Sequence, residues 1–130
     1  MENEMKKLID LAKRNMKSCP WTDEQRDEGY LMEVVSETEE LQEAFMRKDL
    51  KWAEEEMGDL LWDILTLAYI MEREGKIKAK GIVAAAHRKI SRRKPWLLTG
   101  RKVSRDEAVL IWKETKRKEK RSHYAKDNKL

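Results

Sequence analysis

Two acidic motifs constrain the fold of this chain more than any other feature. An E-x-x-E motif places Glu37 with Glu40, and an E-x-x-D motif places Glu56 with Asp59. On a helix, residues at positions i and i+3 project from one face about one turn apart. The surrounding segments are predicted to be two consecutive helices joined near residues 47–49. An antiparallel hairpin of these helices would bring all four carboxylates together.

Four carboxylates at such a site repel one another and take up protons unless a cation neutralises them. Carboxylate oxygens suit hard cations such as Mg²⁺, Mn²⁺ or Ca²⁺, and Mg²⁺ is usually bound together with substrate phosphates. The two motifs therefore predict a metal-dependent phosphate site.

The acids also border the predicted core. Glu56, Asp59 and Asp63 occupy one sector of their helix, next to its apolar stripe, and Glu37 and Glu40 flank the stripe of the preceding helix. Acids beside a core are costly unless they are paired or bind a cation, which favours a function. An ordinary acidic helix surface is the alternative. For Asp63 the roles of extra ligand, supporting acid and surface residue all stay open.

The rest of the chain is predicted to be helical as well. It has only 5 Gly and 2 Pro, and 42% of its residues are charged, a composition that favours helices over sheets. We expect an all-α fold of about five helices, built around a core helical hairpin. The predicted helices are Glu2–Lys17, Asp23–Arg47, Leu50–Glu74, Lys78–Arg93 and a fifth ending near Lys120.

Capping patterns set several of these boundaries. A capping box of Thr22 and Gln25 is expected to open the second helix, and Asp49 is expected to cap the third. Gly75 suits the position after the third helix, and Ser104 opens the fifth helix with a second capping box. The domain is predicted to cover residues 1–120, followed by a basic polar tail at 121–130.

Charge is divided unevenly along the chain. Residues 1–75 hold 20 acidic residues and 10 Lys or Arg, whereas residues 76–130 hold 5 and 19. A basic half can bind nucleic acid, or it can supply phosphate ligands opposite an acidic metal site. Lys89, Arg92 and Arg93, near the end of the fourth helix, are the candidates for phosphate contacts.

The compartment is predicted to be the cytoplasm. Cys19 is the one cysteine, which excludes an intramolecular disulfide and fits a reducing environment. The first residues lack the apolar region of a secretory signal, and the longest uncharged stretch, residues 64–71, is too short to span a bilayer. We expect no membrane partner.

Several separated blocks together resemble the MazG family of all-α nucleoside triphosphate pyrophosphohydrolases. The resemblance runs from about residue 19 to residue 119, with the blocks in the family's order. They are Cys19-Pro20-Trp21, Gln25, Ser36-Glu37-Thr38-Glu39-Glu40-Leu41, Glu55-Glu56-Met57-Gly58-Asp59-Leu60-Leu61, Lys89-Ile90-Ser91-Arg92-Arg93-Lys94-Pro95 and Trp112-x-x-x-Lys116-x-x-Glu119.

The resemblance implies hydrolysis of nucleoside or deoxynucleoside triphosphates to the monophosphate and pyrophosphate. It implies that Glu37, Glu40, Glu56 and Asp59 are the metal ligands and carry catalysis. Mg²⁺, with Mn²⁺ as a substitute, is the expected cofactor. A metal-activated water would attack the α-phosphate, and basic side chains would neutralise the departing charge.

Further roles follow from the same resemblance. It implies that Lys116 contacts substrate phosphates and that Trp112 packs near the nucleotide, while simple core packing is the alternative for Trp112. It also implies a homodimer or larger homo-oligomer, in which the core hairpins form a four-helix-bundle-like assembly on dimerisation. Surplus apolar residues such as Ile70 would favour this association. Two departures stand out: Ser36 replaces a frequent glutamate, and Lys94 and Trp96 replace two histidines of the family's Arg-Arg-His-Pro-His run.

Two other classes of protein are alternatives. A di-iron carboxylate bundle needs Glu-x-x-His motifs, but residues Ala84 and Lys120 stand three positions before His87 and His123. A helical nucleic-acid-binding protein is the stronger alternative, because residues 113–121 are dense in cations. That alternative leaves the acidic motifs unexplained.

Overall fold

The computed structural model describes the backbone of residues 1–127 and the side chains of residues 1–122. Within these residues the secondary structure is entirely helical, which confirms the all-α prediction. One short 3₁₀ helix accompanies the α-helices, at Pro95–Leu98. The α-helices are α1 (Glu2–Ser18), α2 (Pro20–Asp23), α3 (Asp27–Met46), α4 (Leu50–Arg73), α5 (Ala79–Arg93) and α6 (Arg105–Asp127).

The chain divides into two compact units, and the first comprises Met1–Ile82. Its centre is the predicted hairpin of α3 and α4, and α1 packs against α4. The turn between α3 and α4 holds Lys48 at φ 55°, a left-handed conformation that non-glycine residues seldom adopt. This tight turn sets the register in which the two long helices face each other.

Both ends of α4 agree with the sequence prediction. The Asp49 side chain accepts a hydrogen bond of 3.0 Å from the backbone N–H of Trp52, and so caps the helix. At the other end Gly75 has φ 74°, where glycine lacks the steric penalty of other residues. The helix that carries Glu56 and Asp59 therefore begins and ends within a residue of the expected positions.

The start of α3 is not where the sequence predicted it. The helix begins at Asp27 rather than Asp23, and the short helix α2 precedes it. Thr22 caps nothing, because it is buried and its hydroxyl donates to the Asn15 side chain at 3.1 Å. The capping role falls to Glu74, whose carboxylate accepts from the Asp27 backbone N–H at 3.0 Å.

Small residues line the seam between α3 and α4. Ala44 and Ala53 are both buried near the turn, so the two backbones approach closely there. Ile70 was predicted to lie on a surplus apolar surface, but it is fully buried. That prediction was wrong because α1 covers a second face of α4, which widens the buried sector.

A large part of the predicted apolar stripes is open to solvent in the single chain. Five residues of these stripes are 42% to 60% exposed, namely Leu31, Val35, Phe45, Met57 and Ile64. The hairpin therefore presents an apolar surface that the first unit does not cover.

The second unit begins at Val83. Its helix α5 ends at Arg93, as expected from Pro95, and Ser104 Oγ caps α6 by accepting from the Glu107 N–H at 3.1 Å. Helix α6 continues to Asp127, beyond the expected end near residue 120, and residues 128–130 of the predicted tail lie outside the described residues. The division into a domain at 1–120 and a tail at 121–130 stays a prediction.

Across residues 1–127, no helix combines the length and the apolar character needed to cross a bilayer.

Candidate functional site

The hairpin brings acids of both motifs together. One carboxylate oxygen from each of Glu37, Glu56 and Asp59 lies within 4.8 Å of the other two. Glu37 comes from α3, whereas Glu56 and Asp59 come from one face of α4. Because α3 and α4 run antiparallel from a short turn, the middle of one helix faces the middle of the other. The i, i+3 spacing then places both acids of α4 at this level.

The burial of these acids distinguishes the cluster from an ordinary acidic surface. Glu56 is only 7% exposed, and Glu37 is partly buried. Oε2 of each is shielded from solvent and has no hydrogen-bond partner among the described residues. A buried carboxylate oxygen without a partner loses its hydration and gains nothing in return. A divalent cation bound by these oxygens would remove that cost, so the donor set fits a hard metal ion.

The mutual repulsion appears in the acid–base behaviour of the metal-free cluster. The facing Glu56 carboxyl, burial and the other neighbouring carboxylates raise the pKa of Glu37 to about 7. The facing Glu37 carboxyl and the hydrogen bond from Trp52 lower the pKa of Glu56. The pKa values of the two acids are thus moved in opposite directions across the hairpin. Such a mutual effect is expected where like charges are held together without a cation.

The fourth predicted ligand, Glu40, lies beside the three clustered acids. The nearby charge of Glu56 is the main cause that raises the pKa of Glu40. Its side chain is exposed, unlike that of Glu56. Glu40 is therefore close enough to interact with the cluster while remaining accessible to solvent.

Asp63 takes a different position from the other acids. It is 8% exposed, and its Oδ1 accepts a hydrogen bond of 2.7 Å from the hydroxyl of buried Tyr30. Burial raises the pKa of Asp63. It is not among the three clustered acids, and its burial rules out the surface role that the sequence left open.

Trp52 is a contact of the cluster that the sequence reasoning missed. Its indole Nε1–H donates to Glu56 Oε1 at 2.6 Å, and its ring is partly buried. The sequence does hold a signal, because Trp52 stands four residues before Glu56 and so shares its helix face.

The predicted phosphate ligands lie in the second unit, where they line one groove. The groove between α5 and α6 has a volume of about 780 Å³ and is open to solvent. Its lining combines cationic side chains with one acid, and comprises Lys89, Arg92, Arg93, Lys113, Lys116, Arg117, Glu119 and Lys120. This clustering is what a polyanion-binding surface requires.

Glu119 fixes the two arginines of this groove. Its Oε1 accepts from Arg92 at 3.2 and 3.3 Å, and its Oε2 accepts from Arg93 at 2.9 and 3.2 Å. Each guanidinium presents one edge to the carboxylate through its Nε and Nη2 donors, and its Nη1 donors have no acceptor among the residues that the structure describes. The hydrogen bonds from these two arginines lower the pKa of Glu119, and the bond from Arg93 has the larger effect.

Trp112 and Lys116 form a pair on α6. The Lys116 ammonium lies 5.2 Å from the centre of the Trp112 ring, within the range of a cation–π interaction. Trp112 is 43% exposed, so it is not a core residue of the described chain. A flat aromatic face and a cation are available together at this position.

Comparisons with known proteins agree on one family. The model of the MazG nucleotide pyrophosphohydrolase domain matches residues 25–98, more than half of the chain. The crystal structure of a MazG-related protein from Thermotoga maritima superposes with a TM-score of 0.80 at 38% identity, covering 86% of this chain and 98% of that one.

Curated relatives point the same way. The nucleoside triphosphate pyrophosphohydrolase of Escherichia coli K12 is 29% identical over 97% of this chain and 51% of its own length. The enzyme of the same name from Mycolicibacterium smegmatis is 32% identical over 80% of this chain and 33% of its own length. The chain thus spans about half or less of these relatives.

Proposed function

The chain belongs to the MazG nucleotide pyrophosphohydrolase family, and from that premise we propose that it hydrolyses nucleoside triphosphates to the monophosphate and pyrophosphate. The observation that carries this proposal is the cluster of Glu37, Glu56 and Asp59. Two of its buried oxygens lack partners among the described residues. A bound divalent cation would pair with these oxygens and neutralise the repulsion between the carboxylates.

Mg²⁺, or Mn²⁺ in its place, is the cofactor we propose, with Glu37, Glu40, Glu56 and Asp59 as its ligands. When bound, such an ion would act as a Lewis acid on phosphate oxygens and lower the pKa of a bound water. The chain's own contribution is to hold these carboxylates close together, so that they converge on one point. Glu40, which is exposed beside the cluster, would also orient the attacking water and accept its proton.

The second unit supplies cations for the triphosphate in this proposal. Lys89, Arg92, Arg93 and Lys116 would bind phosphate oxygens and neutralise the charge that develops on departing pyrophosphate. Glu119 keeps the two guanidinium groups oriented with free donors. Trp112 would pack against the nucleotide.

An activity assay tests the metal site. Wild-type protein with Mg²⁺ and a panel of ribo- and deoxyribonucleoside triphosphates should release pyrophosphate. Glu56→Gln should lower kcat/KM at least ~100-fold, because it removes a ligand at a preorganised site. Glu55→Gln is the matched control, since Glu55 is an exposed neighbour on α4 outside the cluster. Full activity of Glu56→Gln would contradict the ligand assignment, and inactive wild type with every substrate would contradict the function.

The phosphate contacts have their own test. Lys116→Gln should raise KM for a triphosphate about 10-fold, because it removes a cation from the groove. Lys118→Gln is the matched control and should have a smaller effect, because Lys118 lies on α6 but is not among the residues that line the groove. Equal KM values for the two variants would contradict the assignment of Lys116.

A homodimer built on α3 and α4 is part of the proposal. The exposed face of Leu31, Val35 and Phe45 would pack on the same face of a second copy, forming a four-helix bundle. Sedimentation equilibrium should give a dimer for the wild type. Phe45→Asp should shift it toward monomer, whereas Leu98→Asp, at an exposed apolar site of the second unit, should not. A monomeric wild type would contradict this interface.

The alternative function is nucleic-acid binding by the basic groove of α5 and α6. The cationic lining of the groove favours this alternative, but nucleic-acid binding leaves the partly buried acids of the first unit without a role. A salt-dependent mobility shift of duplex DNA or RNA, without pyrophosphate release from triphosphates, would support this alternative. The cytoplasmic location expected from Cys19 stays a prediction.

A further inference from the structure

Trp52 holds one oxygen of Glu56 in a fixed place. Its indole Nε1–H donates to Glu56 Oε1 at 2.6 Å, a short contact of the kind that a charged acceptor makes. The other oxygen, Glu56 Oε2, is shielded from solvent and has no partner within the described part of the chain. One oxygen is therefore used by the protein, and the other is left for a ligand.

Neighbouring contacts support this hydrogen bond. Trp52 and Glu56 are one turn apart on α4, and the backbone N–H of Trp52 is itself bound by Asp49 at the helix cap. The Arg47 guanidinium lies 6.0 Å from the centre of the Trp52 ring, and Arg47 pairs with Glu43 at 2.9 Å. The indole is thus held by its backbone on one side and by a cation on its face.

A carboxylate on a long glutamate side chain otherwise rotates about its terminal bond and samples several orientations. An N–H donor fixed on one oxygen limits this rotation and sets the direction of the second oxygen. Outer contacts of this kind orient metal ligands and strengthen metal binding. Trp52 reaches no other acid of the cluster through a hydrogen bond among the described residues.

We propose that Trp52 is a positioning residue of the metal site, whose indole N–H orients Glu56 so that Oε2 points to the bound divalent cation. This inference rests on the proposed function, because it assumes that the carboxylate cluster binds a metal. It assigns a role to Trp52, a residue of this chain that lies outside the two acidic motifs.

The direct test is Mn²⁺ binding by calorimetry on the whole chain, without any substrate. Trp52→Phe keeps a ring but removes the N–H, and it should raise the Kd for Mn²⁺ about 10-fold. Trp62→Phe is the matched control on the same helix. Trp62 lines a cavity of about 330 Å³ together with Leu11 and Asn15 of α1, and none of the three clustered acids lines that cavity. The Kd of Trp62→Phe for Mn²⁺ should equal that of the wild type.

A second measurement on the unaltered protein guards against a folding defect in the variant. In a ¹H–¹⁵N spectrum, the indole resonance of Trp52 should shift on addition of Mg²⁺, whereas that of Trp62 should stay in place. Equal Kd values for Trp52→Phe and wild type, or an indole resonance of Trp52 that Mg²⁺ does not move, would overturn the inference. Wild type that binds no Mn²⁺ would overturn the metal site itself, and the inference with it.

Discussion

Glu37 on α3 and Glu56 on α4 face each other across the hairpin, and each keeps one buried carboxylate oxygen without a partner among the described residues. Asp59 completes the cluster, and Trp52 donates to the other oxygen of Glu56. The metal-free chain pays for this arrangement through repulsion, which is visible in the raised pKa of Glu37. Residues that cost stability at one place usually serve a function there.

Replacing Glu37 should therefore have opposite effects with and without metal. Glu37→Gln removes one charge from the cluster, so the metal-free protein should melt a few degrees higher than the wild type. The rise in Tm that Mg²⁺ gives the wild type should disappear in the variant, because a ligand is lost. Differential scanning fluorimetry with and without Mg²⁺ measures both. Glu39→Gln, at an exposed position of α3, is the control. An unchanged Mg²⁺ shift in Glu37→Gln would contradict its role as ligand.

The seam of small residues between α3 and α4 should tolerate no enlargement. Ala44 has no exposed surface, so Ala44→Leu should destabilise the fold by about 1–3 kcal/mol through overpacking. Ala84→Leu, at an exposed position of α5, should change the free energy of unfolding little. Urea denaturation followed by circular dichroism compares them. Equal stability of the two variants would contradict the close approach of the helices.

The turn between the helices offers a stabilising substitution. Lys48 has φ 55°, and glycine adopts this conformation without a steric penalty. Lys48→Gly should raise the free energy of unfolding by about 1 kcal/mol relative to Lys48→Ala, which keeps the Cβ atom and its clash. Chemical denaturation of the two variants gives the difference. A Lys48→Ala variant that is the more stable of the two would contradict this conformation of the turn.

Much of this hairpin was predictable because local residues determine it. Asp49 caps α4, Gly75 ends it, and the spacing of the acids fixes which face they share. The start of α3 was not predictable in this way. Thr22 binds Asn15, and the Arg73 guanidinium donates to the Gln25 carbonyl oxygen at 2.5 Å, so contacts from distant residues interrupt the helix. Propensity and capping patterns carry no information on such contacts.

The candidate site shows the same division. The sequence predicted a common site for the four acids because their spacing is a property of the helix alone, and Glu37, Glu56 and Asp59 do lie together. The environment of each acid was not predictable from the sequence. The burial of Glu56, the exposure of Glu40 and the hydrogen bond of Asp63 with Tyr30 depend on how the helices pack. Trp52 was overlooked because a tryptophan on an amphipathic helix usually packs in a core.

The bridge from Glu119 to Arg92 and Arg93 should make stability depend on pH. The arginines hold the pKa of Glu119 below its ordinary value, so the folded state binds this proton more weakly than the unfolded state. The bridge therefore stabilises at neutral pH, and its contribution is lost as pH falls from about 4.5 through the lowered pKa. Thermal unfolding of the wild type and Glu119→Gln should differ at pH 7 and converge at low pH. A difference in Tm that does not change with pH would contradict this bridge.

Hydrolysis in ¹⁸O-labelled water with Mg²⁺ distinguishes cleavage at the α-phosphate, which we propose, from attack at another phosphate. Attack of water on the α-phosphorus breaks its bond to the bridging oxygen, so the label enters the monophosphate and the pyrophosphate stays unlabelled. Mass spectrometry of the two products distinguishes the positions of attack. We predict one ¹⁸O atom in the monophosphate and none in the pyrophosphate. Label in the pyrophosphate, or release of orthophosphate in place of pyrophosphate, would contradict the proposed function.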